Sequence, residues 1–498
     1  MPDSDSPFSP DALEKQLPSW VVPLGVFVVA FAVRLFHLDY NGFWTDEWTS
    51  LNTSRLPWSG ILMERASRGH LPLFFWFLKG WREVVGEGEY RLRLLPTFFS
   101  AMSVVAIYLF GRRAMTNRVA LFAAILFCFH QRCLWSAHDL RMYSMVLCLG
   151  IFSFCLVWKI LAGNRSFFPV LLLFLCHVAG LLTHPTYLGI IGAQGLYLLA
   201  YWRRYFPFSQ RVLCIVLVSS LLAASPFYRI MLISQQQDFY GESKIVNLGG
   251  VFGGLTQSFF GEHEYLWGSG FKYLAWPILF VILGSAITGL RRTDSGTERR
   301  SLVLLLIWWA SPFLLAALVS LTMGAIPGGT RYFIVAAPAA CLIASRVLMG
   351  TRCPRRRLVY ASGFFLLVAT IGGAYLFSRG EGLRQGVEFV LGNRKAGEPL
   401  LVCKSDLADI YMPFYGADAP PLYLVPQRYA YDEASRRAQL LDTVGDSRRV
   451  WLLLYKPRER DLEKLLSETM AGWETQKLFR IDVTEVWLLE RTPPQGKK

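Results

Sequence analysis

Charge is scarce in this chain. Asp, Glu, Lys and Arg make up 17% of its 498 residues against 53% apolar side chains, a balance that excludes an ordinary soluble protein. Nucleotide-binding signatures are missing too: no GxGxxG turn or GxxxxGK[ST] loop occurs, so no nucleotide cofactor is expected. The first twenty residues lack the basic stretch and small-residue cleavage site of a secretory signal, so the first apolar run is expected to be retained. The nine cysteines show no zinc-site spacing. Cys128, Cys133, Cys148, Cys155, Cys176, Cys214 and Cys341 lie in or at apolar runs, Cys353 lies in a basic loop, and Cys403 stands alone in the tail. That placement excludes a disulfide framework. No internal repeat or low-complexity segment is evident.

What is present is a series of apolar runs long enough to cross a hydrocarbon core about 30 Å thick. About eleven occur, at roughly 20–38, 94–111, 119–136, 140–161, 167–183, 185–202, 212–231, 273–290, 301–322, 332–349 and 358–377. The fold class expected is a multi-span α-helical membrane protein. Its basic surplus falls in alternate short loops: Arg112, Arg113 and Arg118; Lys159 and Arg165; Arg203, Arg204 and Arg211; Arg291, Arg292, Arg299 and Arg300; Arg346, Arg352 and Arg355 to Arg357. Only Asp294 and Glu298 oppose them, and their surplus equals the net charge of +15. Spread over five loops, the charge argues against nucleic acid as a partner and marks the cytoplasmic side. The expected topology is a cytoplasmic N-terminus in the plasma (inner) membrane, with everything after Phe377 outside.

Residues 39–93, the first external segment, read as interfacial helices anchored by Trp44, Trp48, Trp58, Trp76 and Trp81, with a re-entrant element over Leu71 to Trp81 as the alternative. Residues 380–498 change character. Helical patterns in GVEFVLGNRK, SDLADIYMPFYG, YDEASRRAQLLDTV and RERDLEKLLSETM alternate with β-rich PLLVC, PLYLV, RRVWLLLYK and FRIDVTEVWLLER. This predicts a small extracytoplasmic α/β domain after a membrane domain over residues 1–379.

Ionisable groups gather on the external side. Asp46 and Glu47 follow the first span, where a carboxylate can take a proton from an acceptor hydroxyl or hold a metal or amine; the pair equally suits a helix first turn. The next external turn, WSAHDLRMYS, brings His138, Asp139, Arg141 and Tyr143, and an Asp139–Arg141 ion pair is an equally available reading. His70 in GHLPLFFWF and His184 in LLTHPTYLG stand at the same boundary. Arg331 in PGGTRYFIVAAPA suits a phosphate, which a guanidinium holds by two parallel hydrogen bonds, although snorkelling to the headgroups would place it equally well. The loop 232–272 adds Lys244, Glu262, His263, Glu264 and Lys272 without ranking them.

In this order, TDEW, GHLPLFFWF, EYRLRLLPTFFS, SAHDLRMYS, THPTY and GTRYFIVAAPA resemble the motifs of the family 39 glycosyltransferases of the GT-C superfamily, relatives of protein O-mannosyltransferases and the lipid A aminoarabinose transferase. The resemblance implies an inverting enzyme that moves a sugar from a polyprenyl-phosphate donor to an acceptor hydroxyl on a glycan, lipid or protein outside the cytoplasm. Carried over by position, Asp46 would be the base or acceptor-orienting carboxylate, Glu47 its neighbour and Asp139 a second acid. Arg331, with Tyr332, would meet the donor phosphate, helped by Arg141 or Lys79, with Tyr143 and His184 in the substrate-binding set. His70 falls where relatives often have a phosphate-binding Lys, and Leu71 replaces the first Pro of that segment. A divalent cation is compatible with the carboxylates and not required. The alternative is a transporter or lipid flippase, which would place ionisable residues in mid-span and show pseudo-repeats.

Overall fold

In the computed structural model the described residues are 18–202, 207–234, 248–262, 270, 272–292, 296–323, 330–378, 382–395, 397–402, 422–423, 441–442, 444–455, 470, 472–481 and 484–491. Lys244, His263, Glu264, Cys403 and most of the tail's expected helices at 405–416, 431–444 and 458–470 lie outside them. Contacts divide the chain into two compact units, Met1–Leu38 with Ser50–Ser378, and Asp39–Thr49 with Arg379–Lys498.

The first unit is helical. It runs through α1 (Val21–Leu35), α2 (Thr45–Arg55, whose first turn groups with the second unit), α3 (Trp58–Ser67), α4 (Leu73–Val85), α5 (Glu89–Ala114), α6 (Asn117–Phe129), α7 (Gln131–His138) and α8 (Tyr143–Leu161). It continues through α9 (Phe167–Thr183), α10 (Tyr187–Ala200), α11 (Pro207–Ser234), α12 (Leu248–Phe260), α13 (Lys272–Arg292) and α14 (Gly296–Met323). A 3-10 turn (Thr330–Ala336), α15 (Ala337–Met349) and α16 (Pro354–Phe377) complete it. Among the described residues seven helices are long and apolar enough to span a membrane, α6 with α7 makes an eighth as a bent pair, and α1, α9 and α10 are shorter apolar helices. These coincide with the apolar runs of the sequence, and the chain is a multi-pass membrane protein. Their aromatic core centres on Trp308, stacked 3.9 Å from Phe154 and edge-on to Phe110, with its indole N–H donating to the Val335 carbonyl at 3.0 Å.

Three local features depart from the sequence pattern. The expected span 119–136 is broken at His130, where the backbone turns extended and the two halves bend by 55°. The imidazole Nε2 lies 3.2 Å from the Ser258 carbonyl, and Gly372 of α16 closes on the freed Phe129 carbonyl, which a Cβ would meet at 2.0 Å. The loop 232–272 contains α12, whose LGGVFGGLTQSFF has low helix propensity; burial of Phe259 and Phe260 overrides it. Gly254 there faces the Phe333 ring, 2.4 Å from where a Cβ would stand. The span expected from 332 opens as a 3-10 turn, and the α-helix follows with Pro338 in its first turn, where the missing N–H costs nothing.

The second unit contains α17 (Leu383–Asn393), β1 (Leu400–Val402), β2 (Leu422–Tyr423), β3 (Arg449–Tyr455), β4 (Trp473–Ile481) and β5 (Thr484–Arg491). The sheet order is β2-β1-β3-β5-β4, with β2, β1 and β3 parallel and β3, β5 and β4 antiparallel. The β-rich run FRIDVTEVWLLER is divided between β4 and β5; both faces of β5 are buried along Val486, Trp487, Leu488 and Leu489, whereas β4 is largely exposed. The strand stretch WETQK has Trp473 as its one apolar residue and no apolar alternation.

Candidate functional site

A polar cluster of the first unit forms where α3, the turn before α8, the His184 turn and the 3-10 turn meet. Helix α3 ends in a turn whose Arg65 carbonyl accepts the His70 backbone N–H at 2.8 Å. This places His70 beside Arg65. The His70 ring centroid lies 6.2 Å from that of His184. Around His184 stand Tyr143 at 5.7 Å and Tyr332, nearly parallel, at 5.8 Å. The Arg331 guanidinium packs over the Tyr332 ring at 5.6 Å.

Buried Arg141 donates to Ser50 Oγ at 3.4 Å, and its backbone N–H donates to the Asp139 carbonyl at 2.6 Å. Asp139 is itself buried at the extended C-cap of α7. Arg65, also buried, makes a two-pronged pair with Glu64 and lies over the Phe75 ring at 4.9 Å. Thr53 Oγ1 and Arg68 Nε also donate to Glu64, at 3.2 and 2.9 Å. Burial alone would raise the Glu64 carboxyl, but these partners hold it below its usual value.

Electrostatics in the cluster favours an anion. Burial first, then the like charges of Arg141, His184, Arg65 and Arg331, depress His70 well below the ordinary imidazole range. Burial, with Arg141 and Arg331, lowers His184 to about 3. Both rings are therefore neutral near pH 7. The Thr186 N–H donates to His184 Nδ1 at 3.2 Å, which assigns the ring proton to Nε2. His70 Nδ1 is enclosed and has no hydrogen-bond partner among the described residues, a state that costs about 1–3 kcal/mol unless a ligand satisfies it. The Arg141 and Arg331 charges, beside two neutral imidazoles, suit a phosphate oxyanion here, while Arg65 is committed to Glu64.

The structure thus brings together Arg331, Tyr332, His70, Arg141, Tyr143 and His184. Lys79 instead pairs with Glu83 at 3.0 Å and packs on Trp58 at 5.5 Å. An apolar hollow of about 490 Å³ near it is lined by Trp58, Leu73, Trp76, Phe77, Trp81 and Leu95, among others. His138 is taken up by the Arg34 carbonyl at 2.8 Å, and Glu262 pairs with Arg132 at 3.2 Å. Sequence reasoning passes over Arg65, one of several charges in the polar stretch MERASRGH. Its only sequence signal is its spacing, one helical turn and a bend before His70.

In the second unit, Asp46 and Glu47 occupy the first turn of α2. Glu47 is buried and accepts the Trp44 backbone N–H at 3.2 Å, so it closes the helix start. Asp46, one position earlier and half-buried, points in a different direction around the helix. Among the described residues no group of three His, Cys, Asp or Glu side chains could hold a metal ion.

No family model and no curated protein matches the chain. Solved structures do match in fold. ArnT from Cupriavidus metallidurans in the apo state aligns with a TM-score of 0.58 at 14% identity, over 94% of this chain and 98% of ArnT. This chain has the GT-C fold. The same ArnT bound to undecaprenyl phosphate aligns at 0.53 and 14% identity over the same shares. The GT-C fold is also found in the archaeal oligosaccharyltransferase AglB from Archaeoglobus fulgidus, in complex with an inhibitory peptide and a dolichol-phosphate. It aligns at 0.52 and 12% identity, over 91% of this chain and 71% of AglB.

Proposed function

We propose that this protein is a membrane glycosyltransferase that moves a sugar from a polyprenyl-phosphate donor to an acceptor hydroxyl, with inversion, on the extracytoplasmic face of the inner membrane. The observation that carries the reading is the enclosed, partnerless His70 Nδ1 amid Arg65, Arg141 and Arg331. Such a cluster stabilises the charge that develops on a phosphate leaving group. Asp46 is the proposed base, which removes the acceptor proton, and Asp139 a second acid on the sugar side. Glu47 serves by holding the helix that presents Asp46.

The GT-C fold supports the reading, since ArnT and AglB were solved with polyprenyl-type phosphates. The apolar hollow beside Lys79 is suited to hydrocarbon. Membership of family 39, with a lipid, glycan or protein as acceptor, extends the proposal, and the alternating basic loops support the topology. The transporter alternative gains nothing from these folds. Mass spectrometry of envelope glycans and lipids from a deletion strain tests the reading: loss of one sugar from one acceptor is expected. An unchanged envelope, together with a purified protein that binds no undecaprenyl phosphate, overturns it.

A further inference from the structure

Two donors on one turn of α17 grip two successive carbonyls just upstream of the acidic pair. Arg384 Nη1 donates to the Asp39 carbonyl at 3.1 Å, and Gln385 Nε2 donates to the Tyr40 carbonyl at 3.2 Å. Glu388, one turn further on, accepts Arg384 Nε at 2.8 Å and so aims the guanidinium. Helix α17 is a firm platform. Leu383, Val387 and Val390 are buried, and Phe389 stacks on Phe479 at 5.3 Å and meets Trp451 at 6.5 Å.

Downstream of the gripped carbonyls the chain is closed a second time. Phe43 packs edge-on against Trp48 at 5.4 Å, and the Trp44 N–H donates to Glu47. Residues 39–48 are therefore held at both ends, and Asp46 projects from the fixed stretch. Holding an irregular segment in one conformation has an entropic cost for every residue ordered, so the tie has a consequence for the carboxylate it orders.

We propose that the C-terminal unit is a positioning device for Asp46, with Arg384 and Gln385 as its positioning residues. The inference rests on the proposed role of Asp46 in proton removal. A base displaced by about 1 Å loses most of its effect on the rate while leaving donor binding intact. A merely adhesive contact between helix and loop would instead change stability without separating turnover from donor binding.

The test uses the full chain in detergent or nanodiscs, comparing wild type with Arg384→Ala/Gln385→Ala and with Arg384→Lys. Hydrogen exchange at the amides of residues 41–49 is expected to rise about tenfold in the double variant, the scale set by two ordinary hydrogen bonds. Product formation in a complemented deletion strain is expected to fall by about as much, with binding of undecaprenyl phosphate alone unchanged within about twofold. Arg384→Lys, which keeps one donor, should recover part of both losses. Should the double variant fail to insert, Gln385→Ala alone carries the same comparison. Unchanged exchange at 41–49, or faster exchange with wild-type product levels, overturns the proposal. If instead the wild type binds no undecaprenyl phosphate and the deletion strain's envelope is unchanged, the catalytic part falls with the function it rests on, and exchange alone then decides whether the tie exists.

Discussion

The Tyr332 and His184 rings lie 15° from parallel with centroids 5.8 Å apart, and the Arg331 guanidinium packs over the Tyr332 ring at 5.6 Å. A cation and a neutral imidazole are thus held on one aromatic plate. In the proposed donor site, this plate is where the phosphate would be met.

Arg331→Ala is expected to weaken binding of undecaprenyl phosphate roughly tenfold to a hundredfold, the range for losing one charge-assisted hydrogen bond. Tyr332→Leu should weaken it less, because it frees the guanidinium without removing its charge. Titration of purified protein measures both. An affinity equal to wild type in Arg331→Ala would remove that residue from the donor site.

Asp46→Asn should lower transfer roughly 10²–10⁴-fold, the contribution typical of a positioned base, with the protein still folded and inserted. Glu47→Gln keeps an acceptor for the Trp44 N–H and is expected to retain most activity. Glu47→Ala removes the cap and should destabilise by about 1 kcal/mol. Transfer assays alongside thermal unfolding separate the two roles; equal losses of transfer in Asp46→Asn and Glu47→Gln would contradict the division.

Acid should destabilise the protein through His184. Its imidazole sits at about 3 in the fold against roughly 6.5 in an unfolded chain. Between those values the unfolded state binds more protons, so stability is fully present above about 6.5 and is lost as pH falls toward 3. Melting temperatures taken at pH 7.5 and 5 should differ, and His184→Asn should narrow the difference. An identical pH dependence in the variant would assign the acid sensitivity elsewhere.

Arg34 is a buried cation in α1 held by Ser100, whose Oγ accepts Arg34 Nε at 2.7 Å and donates to the Cys133 carbonyl at 3.1 Å. Ser100→Ala leaves that charge short of an acceptor and is expected to cost about 1–3 kcal/mol. Adding Arg34→Met should restore much of the loss, since the unpaired charge is then gone. Thermal unfolding in detergent reads both; equal stability of Ser100→Ala and wild type would mean that Arg34 finds another acceptor.

The apolar runs were legible because a span needs only length and hydrophobicity, both properties of consecutive residues. The break at His130 was not, since it depends on the Ser258 carbonyl and on Gly372, each far along the chain. Helix α12 was hidden by its glycines, which read as loop until Phe333 packs against Gly254. Arg65 was hidden among equivalent charges, because nothing local separates a cation that faces solvent from one enclosed beside His70.

Sequence alone determined that this chain crosses a membrane many times and ends in a mixed α/β segment, since periodicity, hydropathy and loop charge are local or additive quantities. Only the tertiary structure decided which charges lie together. It gathered Arg65, Arg141 and Arg331 around two histidines, sent Lys79 to Glu83, and tied residues 39–49 to the tail. Those outcomes depend on packing between segments distant in sequence, where burial sets both the charge state of an imidazole and the partner left to a guanidinium.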